Sequence, residues 1–168
     1  MKLISIVVPV FNEQENIEIF CREVFRHMAP LPYRFEIIFV DDGSRDATPV
    51  LLARLAGEDS RVRALLLARN FGHQVALSCG LDHADGDAVI TMDGDLQHPP
   101  EILPELIAKW EEGFEVVQTV RLSTAGVSWF KAVTSSLFYR LMNAMSKVHV
   151  QEGGSDFRLL DKLVVQSF

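Results

Sequence analysis

Five short apolar, β-rich runs alternate along this chain with stretches of helical period, and that alternation restricts it to an α/β fold with a mainly parallel sheet. The runs are Leu3 to Val10, Phe35 to Val40, Val62 to Leu67, Ala88 to Met92 and Val116 to Val120. The first is nearly continuous in apolar residues, as expected of a strand buried on both faces. Between the runs, Ile17, Phe20, Cys21, Val24, Phe25 and Met28 repeat at helical spacing, and Pro30 and Pro32 close that helix. Val50, Leu51 and Leu55 mark a second helix that Asp46 or Ser44 can cap. Gln74 to His83 reads as a short third helix, weakened by Gly80. Pro99-Pro100 opens a fourth from Glu101 to about Glu112, stopped by Gly113. After a loop at Ser123 to Gly126, Trp129, Val133, Leu137, Leu141, Ala144 and Val148 again follow a helical repeat. Ser155 to Leu160 reads as extended, and Asp161 begins a last helix that the end of the chain cuts short.

In such sheets a ligand sits beyond the carboxyl ends of the strands. Asn12-Glu13, Asp41-Asp42, Asn70 and Asp93-Gly94-Asp95 all fall at those ends. Asp93 and Asp95, two apart where a strand meets a loop, can both reach one Mg²⁺ or Mn²⁺, hard ions that favour carboxylate and phosphate oxygens. The plain alternative is an Asp-Gly-Asp surface turn; the buried strand before it and Leu96-Gln97-His98-Pro99-Pro100 after it favour the metal. Gly94 would let a bulky ligand approach the backbone. Of Asp41 and Asp42, one is expected to accept hydrogen bonds from a base or ribose while the other orders the turn. Glu13 is either a helix cap or a ligand contact. His73, His83, His98 and His149 are scattered and read as structural or surface residues rather than metal ligands. A dinucleotide glycine fingerprint, a Gly-rich lysine loop, a Cys/His zinc cluster and a serine elbow are all missing from the sequence.

The 168 residues suffice for one domain. A net charge of -7 disfavours non-specific nucleic-acid binding. Cys21 and Cys79 lack ligand spacing and read as buried thiols suited to a reducing compartment. The amino terminus lacks a signal-peptide pattern, and none of the apolar runs approaches the ~20 residues that cross a bilayer.

Several ordered motifs together resemble glycosyltransferase family 2. They are Pro9-Val10-Phe11-Asn12-Glu13, Asp41-Asp42-Gly43-Ser44-Arg45-Asp46, Arg69-Asn70-Phe71-Gly72-His73-Gln74 and Asp93 through Glu101. Ser128-Trp129-Phe130-Lys131, Phe138-Tyr139-Arg140-Leu141 and Asp156 through Asp161 narrow the resemblance to the polyprenyl-phosphate glycosyltransferases, a group that includes dolichyl-phosphate mannose synthase and bacterial undecaprenyl-phosphate sugar transferases. The resemblance spans essentially the whole chain. It implies a GT-A fold, a Rossmann-like, mainly parallel sheet flanked by helices, over residues 1–168 as a single domain.

The resemblance also implies roles. Pro9, Phe11, Glu13 and Asp42 would line the nucleoside pocket. Asp93 and Asp95 would form the DxD motif holding Mg²⁺ or Mn²⁺, with Gln97 beside the ion and the diphosphate. Arg121 would lie near the phosphates, and Asp156 and Arg158 would close the site near the sugar. Lys131 and Arg140 would hold the lipid phosphate, although Arg140 can also be read as a solvated helix face. The partners implied are a nucleotide-sugar donor and a polyprenyl-phosphate acceptor at the cytoplasmic face of a membrane, with a homo-oligomer left open. Relatives carry more charge in the loop at Arg121 to Val127 and continue with amphipathic or transmembrane helices, so a domain truncated at its carboxyl end is expected. The alternatives are a family 2 transferase with a non-lipid acceptor and a catalytically weakened nucleotide-sugar-binding domain.

Overall fold

The computed structural model describes residues 1–120 and 154–167. Its first four strands are β1 (Leu3–Val10), β2 (Arg34–Asp41), β3 (Val62–Leu66) and β4 (Ala88–Thr91). β1 is buried along seven of its eight residues, and it accordingly takes a central place between β2 and β4, parallel to both. β3 pairs in parallel with the far side of β2. β5 (Val116–Val120) and β6 (Gly154–Asp161) complete the order β3-β2-β1-β4-β6-β5, and β6 runs antiparallel beside β4. Met1–Val117 with Asp156–Phe168 form one compact unit and Gln118–Ser155 a second. The core and the cleft described below belong to the first.

The two faces of β1 build two cores, as the alternation of a strand requires. Ile4, Ile6, Val8 and Val10 face α1 (Ile17–Met28) and α4 (Leu103–Glu111), where Phe20, Val24, Leu106 and Trp110 pack. α2 (Thr48–Glu58) adds Leu52 to this side. Val7 faces the other way, against Ile38, Val40 and the Ala76 and Leu77 side chains of α3 (His73–Asp82). The helical stripe expected from Ile17 to Met28 is the buried face of α1. α5 (Lys162–Val165) is capped by Asp161, whose carboxylate accepts the Leu163 N–H.

Two local expectations change, and one of two alternatives is chosen. Val50 is 72% exposed while Leu52 is fully buried, so α2 is turned from the face that Val50 would give it. Its start is organised by Asp46, whose Oδ1 accepts the Thr48 N–H, because Ser44 Oγ is engaged by the Asn12 N–H. The fourth helix begins with a separate 3₁₀ turn, Pro100–Ile102, before α4. Among the described residues, no helix is long and apolar enough to cross a membrane. Cys21 and Cys79 are free thiols; burial pushes the Cys21 thiol up to about 12, while Cys79 is only half-buried. The helical repeat from Trp129 to Val148 lies outside the described residues.

Gly80 weakens the α3 pattern for a reason that only packing reveals. A Cβ at this position would lie 2.3 Å from Val7 Cγ1, so glycine lets the helix settle on the sheet. Gly80→Ala is therefore expected to destabilise the fold by about 1–3 kcal/mol, as overpacking does, despite alanine's better helix propensity. Urea unfolding of the two proteins measures it.

Candidate active site

β2 and β3 lie on one side of β1 and β4 on the other, so the carboxyl ends of β1 and β4 flank a topological switch point. A cleft of about 520 Å³ opens there. The end of β1 supplies Pro9, Val10 and Phe11 to its wall, and the turn after it supplies Glu13. Asp42 follows β2, Asn70, Gly72 and His73 follow β3, Asp93 to Asp95 follow β4, and Asp156 comes from β6.

The loops that carry these residues are tied to one another. The Asn12 N–H donates to Ser44 Oγ at 2.8 Å, and the Arg45 N–H donates to Asn12 Oδ1 at 2.9 Å. Asn12 adopts φ +56°, a left-handed conformation that asparagine tolerates. The Glu13 N–H donates to Thr48 Oγ1, and the Glu13 carboxylate accepts from the Asn16 amide at 2.7 Å. Asp41 turns its carboxylate to the Ser44 N–H and orders the turn. Asp42 is 4% exposed, and its two oxygens accept the Phe71 N–H at 2.7 Å and the Gly72 N–H at 2.9 Å. This carboxylate thus shapes the loop leading into α3 as well as lining the cleft.

At the end of β4, Asp95 Oδ1 accepts the Gln97 N–H at 3.0 Å, closing a turn through Leu96. Leu96 sits at φ +62°, a left-handed conformation that costs a branched side chain about 1–2 kcal/mol. Gly94 lines the cleft and also meets a packing demand: a Cβ there would lie 2.7 Å from Val10 Cγ1.

Asp93 lies between two imidazoles. His98 Nδ1 accepts the Asp93 N–H at 3.0 Å, and His98 Nε2 is 3.6 Å from Asp93 Oδ2. His73 Nε2 is 3.8 Å from Asp93 Oδ1 and 3.4 Å from Asp156 Oδ2. The His98 ring stacks on Phe157 with 5.1 Å between centroids. Thr91 Oγ donates to the Asp156 carbonyl, pinning β6 to β4 beside the cleft. Arg158 Nη2 is 3.5 Å from Asp156 Oδ1, and Arg158 Nε is buried without a hydrogen-bond partner among the described residues.

The pattern of Glycosyl transferase family 2 matches residues 5–167. The chain belongs to that family. The bactoprenol glucosyl transferase of Shigella phage SfV is 44% identical over 98% of this chain and 53% of its own length. Staphylococcus aureus TarS 1-349 superposes with a TM-score of 0.64 at 20% identity, over 99% of this chain and 49% of that one. Glucosyl-3-phosphoglycerate synthase from Mycobacterium tuberculosis, solved with Mn²⁺, uridine diphosphate and phosphoglyceric acid, gives 0.62 at 25% identity over 95% of this chain and 56% of that one. The chain spans about half the length of the curated relatives it matches. The Rossmann-like α/β architecture expected from the sequence is the fold shared with these structures.

In this family 2 chain the structure gathers Pro9, Phe11, Glu13, Asp42, Asp93, Asp95 and Asp156 on one cleft. Gln97 is exposed and lies off its described lining; its backbone N–H, donated to Asp95, is what reaches the site. Arg158 stands behind Asp156 on the same strand face. Arg121, Lys131 and Arg140 lie outside the described residues. Sequence reasoning leaves His73 and His98 as structural or surface residues, yet both imidazoles face Asp93. The usable signal was their place inside motifs that flank strand ends, Gly72-His73 and Gln97-His98.

The donor set suits a hard divalent cation held jointly with a substrate. Among the described residues, no group of three or more His, Cys, Asp or Glu side chains is arranged to hold a metal. Asp93 and Asp95 offer carboxylates in the same cleft, and Mg²⁺ is commonly held by one or two carboxylates together with substrate phosphates and water.

Proposed function

We propose that this chain carries the donor site of an inverting transferase that moves a sugar from a UDP- or GDP-linked donor to polyprenyl phosphate at the cytoplasmic face of a membrane. The observation that carries this reading is the convergence of Asp93, Asp95 and Asp156 with Phe11 and Asp42 at the switch point. The identity to the phage bactoprenol glucosyl transferase supports the lipid acceptor. Residues 1–168 are read as one catalytic domain, with Arg121 near the phosphates and Lys131 and Arg140 serving the acceptor.

Asp93 and Asp95 would hold Mg²⁺ or Mn²⁺, with Gln97 alongside; bound there, the cation would offset charge on the diphosphate as it leaves. Phe11, 41% exposed at the cleft, offers a ring face to a base. Pro9, Glu13 and Asp42 line the same cleft and would complete the nucleoside pocket. Asp156, with Arg158 beside it, faces the sugar. The acceptor phosphate is already an anion, so one of its oxygens attacks the anomeric carbon while the bond to the diphosphate breaks, without a strong base from the protein.

Titrating the chain calorimetrically with UDP and GDP, with and without Mn²⁺, tests the donor site. Metal-dependent binding of one nucleotide is expected, and Asp95→Asn should weaken it at least about tenfold, as losses in a metal site do. A folded protein that binds neither nucleotide overturns the reading. A sugar transfer assay with polyprenyl phosphate against a soluble saccharide then decides the acceptor class.

A further inference from the structure

We infer that His98 is a positioning residue for Asp93, and that its stack on Phe157 sets the Asp93 end of β4 against the Asp156 segment of β6. The inference rests on the proposed donor site for its consequence, but not for its geometry. His98 is only 4% exposed, so it is placed to hold structure rather than to meet a ligand. Its Nδ1 accepts the Asp93 N–H, which leaves the ring proton on Nε2, on the side of the Asp93 carboxylate. The imidazole therefore anchors the Asp93 main chain and stands with Nε2 3.6 Å from the carboxylate that would face the cation.

The same ring reaches the opposite lip of the cleft. Phe157 is fully buried beneath it, with an interplanar angle of 20°, and Phe157 lies between Asp156 and Arg158 on β6. The Thr91 hydroxyl holds the Asp156 carbonyl from the same strand end. His73, which approaches both Asp93 and Asp156, spans the two lips on the solvent side. Groups that orient a ligating side chain typically change metal affinity by about 10–100-fold when removed. His98 has that relation to Asp93.

Two substitutions separate orientation from bulk. An asparagine amide oxygen can occupy the place of Nδ1, whereas a glutamine amide reaches only the place of Nε2. His98→Asn should therefore keep the acceptor for the Asp93 N–H, and His98→Gln should lose it. On the ligand-free chain, long-range ¹H–¹⁵N correlation should find His98 with its proton on Nε2. The Asp93 amide should exchange slowly in the wild type and in His98→Asn, and fast in His98→Gln. With UDP or GDP present, Mn²⁺ affinity read by electron paramagnetic resonance should fall about tenfold or more in His98→Gln and stay within about threefold in His98→Asn. If His98→Gln does not fold, His98→Phe, which keeps the stack but offers no acceptor, replaces it. A proton on Nδ1, or equal losses in the two variants, overturns the inference. A wild-type chain that binds no nucleotide sinks the donor reading instead, and the ring-proton and amide measurements still decide the role of His98.

Discussion

Asp93→Asn is expected to lower sugar transfer by about 10²–10³-fold, the range found when one group that stabilises developing charge is removed, or roughly 2.7–4 kcal/mol of barrier. The substitution keeps the size of the side chain and removes only its charge. An amide still offers one oxygen to a cation but no longer attracts it as a carboxylate does. Stability should move the other way or not at all. Asp93 lines a cleft shared with Asp95 and Asp156, and neutralising one of three carboxylates relieves their mutual repulsion. Its backbone bond to His98 does not depend on the side chain. A variant with an equal or higher unfolding midpoint, weakened Mn²⁺-dependent nucleotide binding and depressed transfer is the signature of a charge acting in function at some expense of stability. Unchanged transfer by a folded Asp93→Asn protein would remove Asp93 from the chemistry.

The parts of this molecule that could be read from sequence are those whose cause is local. Leu3 to Val10 announces a doubly buried strand because nearly every residue is apolar, and Ile17 to Met28 announces a helix because its apolar residues fall on one stripe. Strand ends, and the acidic residues on them, follow from the same patterns. The rest depends on partners far along the chain. Val50 and Leu52 are equally apolar, and only the docking of α2 decides that Leu52 goes inside. The antiparallel pairing of β6 with β4 joins residues as distant in sequence as Ala88 and Asp161, so no periodicity encodes it. His73 and His98 look unremarkable by spacing, since what unites them is Asp93 in the loop after β4. Gly80 weakens a helical pattern when read alone, but the Val7 side chain that requires it belongs to β1, far along the chain.

The largest stability effect is expected from Gly43→Ala, at about 2–5 kcal/mol, from two additive causes. Gly43 adopts φ +72°, and a side chain in the left-handed region costs about 1–2 kcal/mol. A Cβ would also lie 2.5 Å from the Arg69 carbonyl carbon and 2.7 Å from the Asn70 nitrogen. Those are backbone atoms that cannot rotate aside, so the loop itself must shift, at a further cost of about 1–3 kcal/mol. That loop presents Asn70, Gly72 and His73 to the cleft and is held by the two hydrogen bonds to Asp42. Displacing it should therefore weaken nucleotide binding even where the variant is still folded. Gly57→Ala is the control, with the opposite sign. Nothing lies within 4 Å of a Cβ built there, and Gly57 is within α2, so alanine should raise stability by up to about 1 kcal/mol. Urea unfolding of both variants, followed by nucleotide titration of the folded Gly43→Ala protein, separates the cost of the turn from its consequence for the site. If Gly43→Ala matches Gly57→Ala in sign, the close approach of the turn after β2 to the loop after β3 is not a constraint on this fold.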